Sequence, residues 1–131
     1  MTKIHIESIP HEAQRYPTVG DYWEDEQGVE QVRVSEMEDW RYEFLVAIHE
    51  LIEWGLTRHR NIAEQSISDF DVAFENARAE GRAIGEPGDH PQAPYRKEHF
   101  FATNVERLLA AELGVDWFTY DRHVEELGIK K

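Results

Sequence analysis

The stretch from Trp40 to Arg60, WRYEFLVAIHELIEWGLTRHR, constrains the fold of this chain more than any other. It spells the longest clean amphipathic helix in the sequence. At about 100° per residue, Phe44, Leu45, Ile48, Leu51, Ile52 and Leu56 fall on one broad face, which reads as the core side. Glu43, His49, Glu50 and Glu53 gather on the other face, within roughly 120° of arc. His49 and Glu53 are four residues apart and Glu50 and Glu53 three apart, so both pairs meet on the helix surface. That face carries no lysine. A solvated helix face ordinarily mixes signs and gains glutamate–lysine pairs. Carboxylates gathered around an imidazole repel or compete unless a cation sits among them. The plainer alternative is the wet side of a core helix.

The rest of the chain fits a single domain of residues 1–131. Residues 1–35 read as a β-rich scaffold and residues 36–131 as a helical region. Lys3 to Ile9 alternates and is ended by Pro10, the pattern of a short strand. Val19 to Glu24 and Val29 to Val34 form a hairpin around Asp25-Glu26-Gln27-Gly28, where Gly28 supplies the positive φ of the turn. Ser35 is placed to cap the main helix, with Glu38 at capping-box spacing. A second helix runs from about Ala63 or Ser68 to Arg82, with Ile67, Phe70, Ala73, Phe74 and Ala77 inward. Its Asp71 stands either near a helix start or at the edge of a site. Residues 81–94, GRAIGEPGDHPQAP, form the one long loop and include His90. A third helix spans Pro94 to Leu113 with Phe101, Val105, Leu108 and Leu109 as its core stripe, and Gly114 ends it. A last helix runs from Asp116 toward Lys131. The expected fold is α+β: a small N-terminal antiparallel sheet or hairpin packed on three to four helices.

Composition narrows the chemistry. The chain has no cysteine, which excludes disulfides, thiolate nucleophiles and sulfur-held metals. Any metal must be held by His, Asp and Glu, pointing to Zn, Mn, Fe, Ni, Co or Mg. With 27 acidic against 14 basic residues, the formal charge is −13. Such a surface makes direct nucleic-acid binding and anionic-membrane binding poor readings. No apolar run approaches the ~18 residues of a membrane span, and MTKIHIESIP lacks a signal-peptide core. The expectation is a soluble, cytoplasmic protein whose partner is a small-molecule substrate or a basic host protein; a homodimer is allowed but not required.

The functional expectation rests on pairing two segments. His49-Glu50-x-x-Glu53 on one helix is matched by Glu98-His99 and Glu106 on another. Helical bundles build metal sites in this way. His49, Glu53, His99 and Glu106 are the candidate ligands, with Glu98 as an alternative to Glu106. Two imidazoles with one or two carboxylates suit a hydrolytic divalent metal. Glu50 is the natural general base for a metal-bound water. A phosphorylated substrate would need cations, for which Arg58, Arg60, Arg96 and Lys97 are candidates. His59 is either part of the helix-end cap or a further ligand.

Two family resemblances meet at these residues. Ala47-Ile48-His49-Glu50-Leu51-Ile52-Glu53 resembles the metal helix of HD-type phosphohydrolases, with Glu50 standing where that family has Asp. The same stretch resembles the His-Glu-x-x-His helix of zincin peptidases, with Glu53 in place of the second histidine and His59 at the distance of the third. The carboxylate-rich helices are also similar to those of all-α nucleoside triphosphate pyrophosphatases, without their paired acidic signature. Across most of the chain, WRYEFLVAIHELIEW, the EPGD loop and PYRKEHFFAT resemble uncharacterised small phage and prophage proteins. These likenesses imply a metal-dependent hydrolase, foremost a phosphohydrolase acting on a nucleotide-like or small phosphorylated substrate. The alternatives are a non-catalytic acidic binding protein, acting as a host-defence antagonist or DNA mimic, and a zincin-like peptidase.

Overall fold

Three strands come first in the chain: β1 (Lys3–Ile9), β2 (Gly20–Glu24) and β3 (Val29–Ser35). Four helices follow: α1 (Trp40–His59), α2 (Glu64–Ala79), α3 (Arg96–Glu112) and α4 (Trp117–Ile129). These elements belong to a computed structural model that describes residues 1–129, so residues 130–131 of the expected last helix lie outside the described residues. The architecture is α+β, a small sheet against helices. Among the described residues no helix is long and apolar enough to cross a membrane.

β2 and β3 form the expected antiparallel hairpin. Gly28 takes a φ of 79°, and the Asp25 carboxylate accepts from the backbone N–H groups of Gln27 and Val29, which closes the turn. β1 departs from expectation. It lies on the other side of β3 and runs parallel to it, giving the order β1-β3-β2 and a mixed sheet. The segment after Pro10 explains this. A short 3-10 turn at His11–Ala13 carries the chain back across the sheet before β2 begins, so β1 cannot meet β2 through a tight hairpin.

Ser35 has a role other than the one expected. It is fully buried at the end of β3, where its hydroxyl meets His11 Nδ1 at 2.8 Å and Gln14 Nε2 at 3.2 Å, pinning that crossover. The cap of α1 is Asp39, whose carboxylate accepts from the Arg41 N–H, while Glu43 reaches back to the Met37 N–H. The chain needs the residues after Ser35 to leave the sheet before a helix can start.

The orientation of α1 is the main revision. The residues it buries are Leu45, Val46, His49, Glu53 and Thr57, so the face rich in polar groups is the packed one. Phe44, assigned to the core by periodicity, is 39% exposed. α3 behaves alike. It buries Glu98, His99, Ala102, Glu106 and Ala110 and leaves Phe101 and Leu108 54% and 70% exposed, against their expected place in its core stripe. Ala102 and Ala110 are almost fully buried, and their small side chains let α1 and α3 come close.

Two apolar clusters flank this polar seam. Val19, Val34, Leu45, Val46, Ala110, Val115 and Tyr120 form one. Tyr22, Val32, Ile67, Ala93 and Tyr95 form the other, with Trp54 packed against it. Along α1, His49 and Glu53 lie between Val46 of the first and Trp54 of the second. Along α3, His99 and Glu106 lie between Tyr95 and Ala110. The apolar clusters thus hold the two helices in register across the polar groups.

The capping assignment is open to measurement. Asp39→Ala is expected to cost about 1 kcal/mol in urea unfolding, while Glu38→Ala leaves the midpoint unchanged. The reverse result would restore the capping box at Ser35 and Glu38.

Candidate metal centre

α1 presents His49 and Glu53 one turn apart on its buried face, and α3 brings His99 opposite them. His49 Nε2 lies 2.5 Å from Glu53 Oε2 and 3.1 Å from His99 Nδ1, and His99 Nδ1 lies 2.7 Å from the same Glu53 oxygen. Three ligand-type atoms from three buried side chains converge on one point. Both facing nitrogens lie within hydrogen-bond distance of that one Glu53 oxygen, so both N–H groups can donate to it, and a metal ion held there would replace those hydrogens.

The opposite ring nitrogens are anchored. His49 Nδ1 meets Glu106 Oε1 at 2.6 Å, and Glu106 in turn accepts from the Tyr120 hydroxyl. His99 Nε2 faces Asp89 Oδ1 at 3.2 Å and Glu86 at 3.5 Å. A carboxylate on the far nitrogen holds that N–H and turns the other nitrogen's lone pair toward the centre, the usual support of a metal-bound histidine. Glu106, expected among the ligands, therefore stands behind His49 and orients it.

The ionisation of the centre follows from burial and partners. Burial opposes charge on His49, but Glu53 and Glu106 overcome it and hold the imidazole well above its ordinary range. His99 is pushed up to about 12, against burial, by Asp89, Glu53 and Glu86. Burial would raise Glu53, yet the two imidazoles hold it at about 2. A proton fills the role of the cation here, and a divalent ion must displace it.

Glu50 differs from its neighbours. Among the described residues no hydrogen bond or ion pair reaches its carboxyl. Burial and the nearby Glu53 charge push its pKa well above the ordinary carboxyl range. It lies against Gly20, where a Cβ would come within 2.5 Å of Glu50 Oε1. Gly20 thus gives this side chain its room at the edge of β2.

Glu50 and the centre open into one cavity of about 120 Å³, room for a few waters at ~30 Å³ each. Its walls include Tyr16, Tyr22, Asp71 and Tyr95. Asp71 accepts from the Tyr95 and Tyr16 hydroxyls at 2.5 and 3.1 Å, which joins α2 to the start of α3 and to the crossover before β2. Burial, despite these bonds, raises Asp71 to about 7. The EPGD turn completes the enclosure: Gly88 is buried flat against His99, and a Cβ there would stand 2.3 Å from His99 Nδ1.

The remaining expected residues lie elsewhere. Glu98 pairs with Arg60 at 2.6 Å, and Arg58 pairs with Glu30 at 2.6 Å. Arg96 sits over the Phe100 ring, and Lys97 is exposed. None of these four basic residues lines the cavity. His59 is exposed at the end of α1 and does not join the centre, whose third ligand position is taken by His99. His90 packs on the Phe70 and Phe74 rings. The groups that sequence reasoning missed are Tyr16, Glu86, Asp89, Tyr95 and Tyr120. The one available signal was the pair of acids flanking Pro87-Gly88. No family model, curated protein or solved structure matches this chain.

Two outcomes follow from this geometry. Gly88→Ala is expected to displace the His99 ring, read as a changed His99 imidazole resonance in NMR spectra, with the far-ultraviolet spectrum unchanged. Asp71 holds its proton in the folded state from about pH 4 to about pH 7, whereas the unfolded chain loses it near pH 4. Folding stability from this group therefore falls as pH rises through that window and stays low above it. Asp71→Asn should match the wild type near pH 4 and exceed it above pH 7, by up to about 4 kcal/mol, in urea titrations at each pH.

Proposed function

We propose that the chain is a metal-dependent hydrolase in which His49, Glu53 and His99 hold one divalent ion and Glu50 handles the proton. The observation that carries this reading is the convergence of His49 Nε2, Glu53 Oε2 and His99 Nδ1 beside the Glu50 carboxyl, which no hydrogen bond or ion pair reaches among the described residues. Two histidines and a glutamate leave one coordination position open, the arrangement of catalytic rather than structural zinc. The ion would polarise the scissile bond and lower the pKa of a bound water.

With an ion bound there, Glu50 would be the group to accept a proton from that water and to supply one to the leaving group. Its raised pKa suits the second step, and a nearby cation would lower it enough for the first. Glu106 with Tyr120, and Asp89 with Glu86, keep the two imidazoles aimed. Gly20 and Tyr22 place β2 along the cavity wall, beside the centre.

The acidic walls favour a neutral or cationic scissile group such as an amide or ester. Asp21, Glu50, Glu53, Asp71, Glu75, Glu86, Glu106 and Glu125 line the cavity, against Arg78 as the one lining arginine or lysine among the described residues. Asp21 is paired with Arg15, Glu75 with Arg78, and Glu53, Glu86 and Glu106 with the two imidazoles, so among the described residues the cations of the wall are already answered by carboxylates. A peptide-like substrate running along β2 meets these conditions. A phosphorylated substrate is the second reading, and one observation favours it: Glu86, Asp89 and His99 form a further group able to hold a cation on the other side of His99. Two ions would supply the positive charge that Arg58, Arg60, Arg96 and Lys97 do not bring to the cavity.

Metal analysis of protein purified without chelator tests the reading. One tightly held ion per chain is expected, lost in His49→Ala and His99→Ala. Glu50→Gln should keep the ion and lose at least a hundredfold in hydrolysis of a peptide or nucleotide panel, stopped in the wild type by chelator. Metal-free protein that takes up no zinc, manganese or nickel would end the proposal.

A further inference from the structure

The faces of α1 and α3 turned away from the cavity form a plate of apolar side chains. Phe44, Ile48 and Leu51 recur along the outer side of α1, with Trp40 edge-on to Phe44 at the end. Phe101, Val105 and Leu108 recur along the outer side of α3. The helices run antiparallel and adjacent: Arg60 pairs with Glu98 at one end, and Arg41 donates to the Leu113 carbonyl at the other. The two stripes therefore lie side by side as one surface. Trp40, Phe44, Phe101 and Leu108 are 67%, 39%, 54% and 70% exposed.

We infer that this plate is the interface of a symmetric homodimer, two copies stacking α1 and α3 into a four-helix layer. Gly55 is the first reason. A glycine inside a helix costs about 1 kcal/mol relative to alanine, and a Cβ at Gly55 would meet nothing within 4 Å in the protomer. It sits on the plate beside Leu51, where a missing side chain lets a second backbone approach. Area is the second. At ~150–250 Å² per large side chain, the four exposed residues offer roughly 450 Å², more than half of the ~800 Å² per partner of a standard interface. The half-buried Ile48, Leu51 and Val105 and the rim add to this.

Charge selects the second copy as the occupant. At one end of the plate stand the exposed His59 and Lys97, and at the other the exposed Glu38 and Glu112. A two-fold axis lying in the plane of the plate, perpendicular to the helices, lays the Lys97 end of each copy over the Glu112 end of the other. The surface is self-complementary, as an isologous interface must be. The cavity faces the other way, so pairing leaves both centres open.

Sedimentation velocity over a micromolar concentration series tests this. A dimer of twice the chain mass is expected for the wild type. Gly55→Leu and Leu108→Glu should each yield a monomer with unchanged helical content, because neither side chain has a packing role in the protomer. Lys97→Glu should weaken the dimer at low salt, and Lys97→Glu with Glu112→Lys should restore it. A wild type that stays monomeric throughout, or a dimer untouched by both Gly55→Leu and Leu108→Glu, would overturn the inference.

Discussion

The meeting of His49, Glu53 and His99 is the joint on which this molecule turns. Putting two imidazoles and a carboxylate out of water is unfavourable unless each is matched. Here every one of them is matched by groups from another element. Glu53 answers both rings, Glu106 and Tyr120 answer His49 from α3 and α4, and Asp89 answers His99 from the loop. The apolar clusters on either side fix the spacing of α1 and α3, and the small residues Ala102 and Ala110 set how near they come. Burial thus serves the centre as much as the fold.

The surrounding shell gives the centre its chemical bias. His49, Glu53 and His99 are held by charge-assisted hydrogen bonds, whereas among the described residues no hydrogen bond or ion pair reaches the Glu50 carboxyl. The surroundings therefore hold Glu53 below the ordinary carboxyl range and push Glu50, three residues away, well above it. Two carboxyls driven apart by their surroundings is the arrangement that separates a ligand from a proton carrier. The tyrosines bound to Asp71 form the opposite wall and tie the sheet crossover, α2 and α3 to one small space.

His49, Glu53 and His99 were legible in the sequence because helical spacing and the absence of compensating lysines point to the same residues. The hairpin was legible through Gly28. Glu106 was readable as a member of the group, but spacing cannot say which nitrogen of His49 it meets. Asp89 and Glu86 sit in a loop without periodicity, and Tyr120 lies on a different helix, so only tertiary placement reveals them. The helix faces were misread for a definite reason. α1 carries an apolar stripe and a polar stripe, and apolarity alone does not separate a core face from a docking face. Arg58 and Arg60 looked available for an anion because their acidic partners, Glu30 and Glu98, are distant in the chain or on another helix.

The hydrogen bond from Tyr120 to Glu106 has a bearing on how the protein is made. His49 and Glu53 emerge from the ribosome early, on the first α-helix of the chain. The acid that steadies the first ring arrives with α3, and the hydroxyl that steadies that acid arrives only with α4. A growing chain thus carries His49 and Glu53 well before the groups that fix them exist, and the centre takes its final geometry only when the last helix has docked.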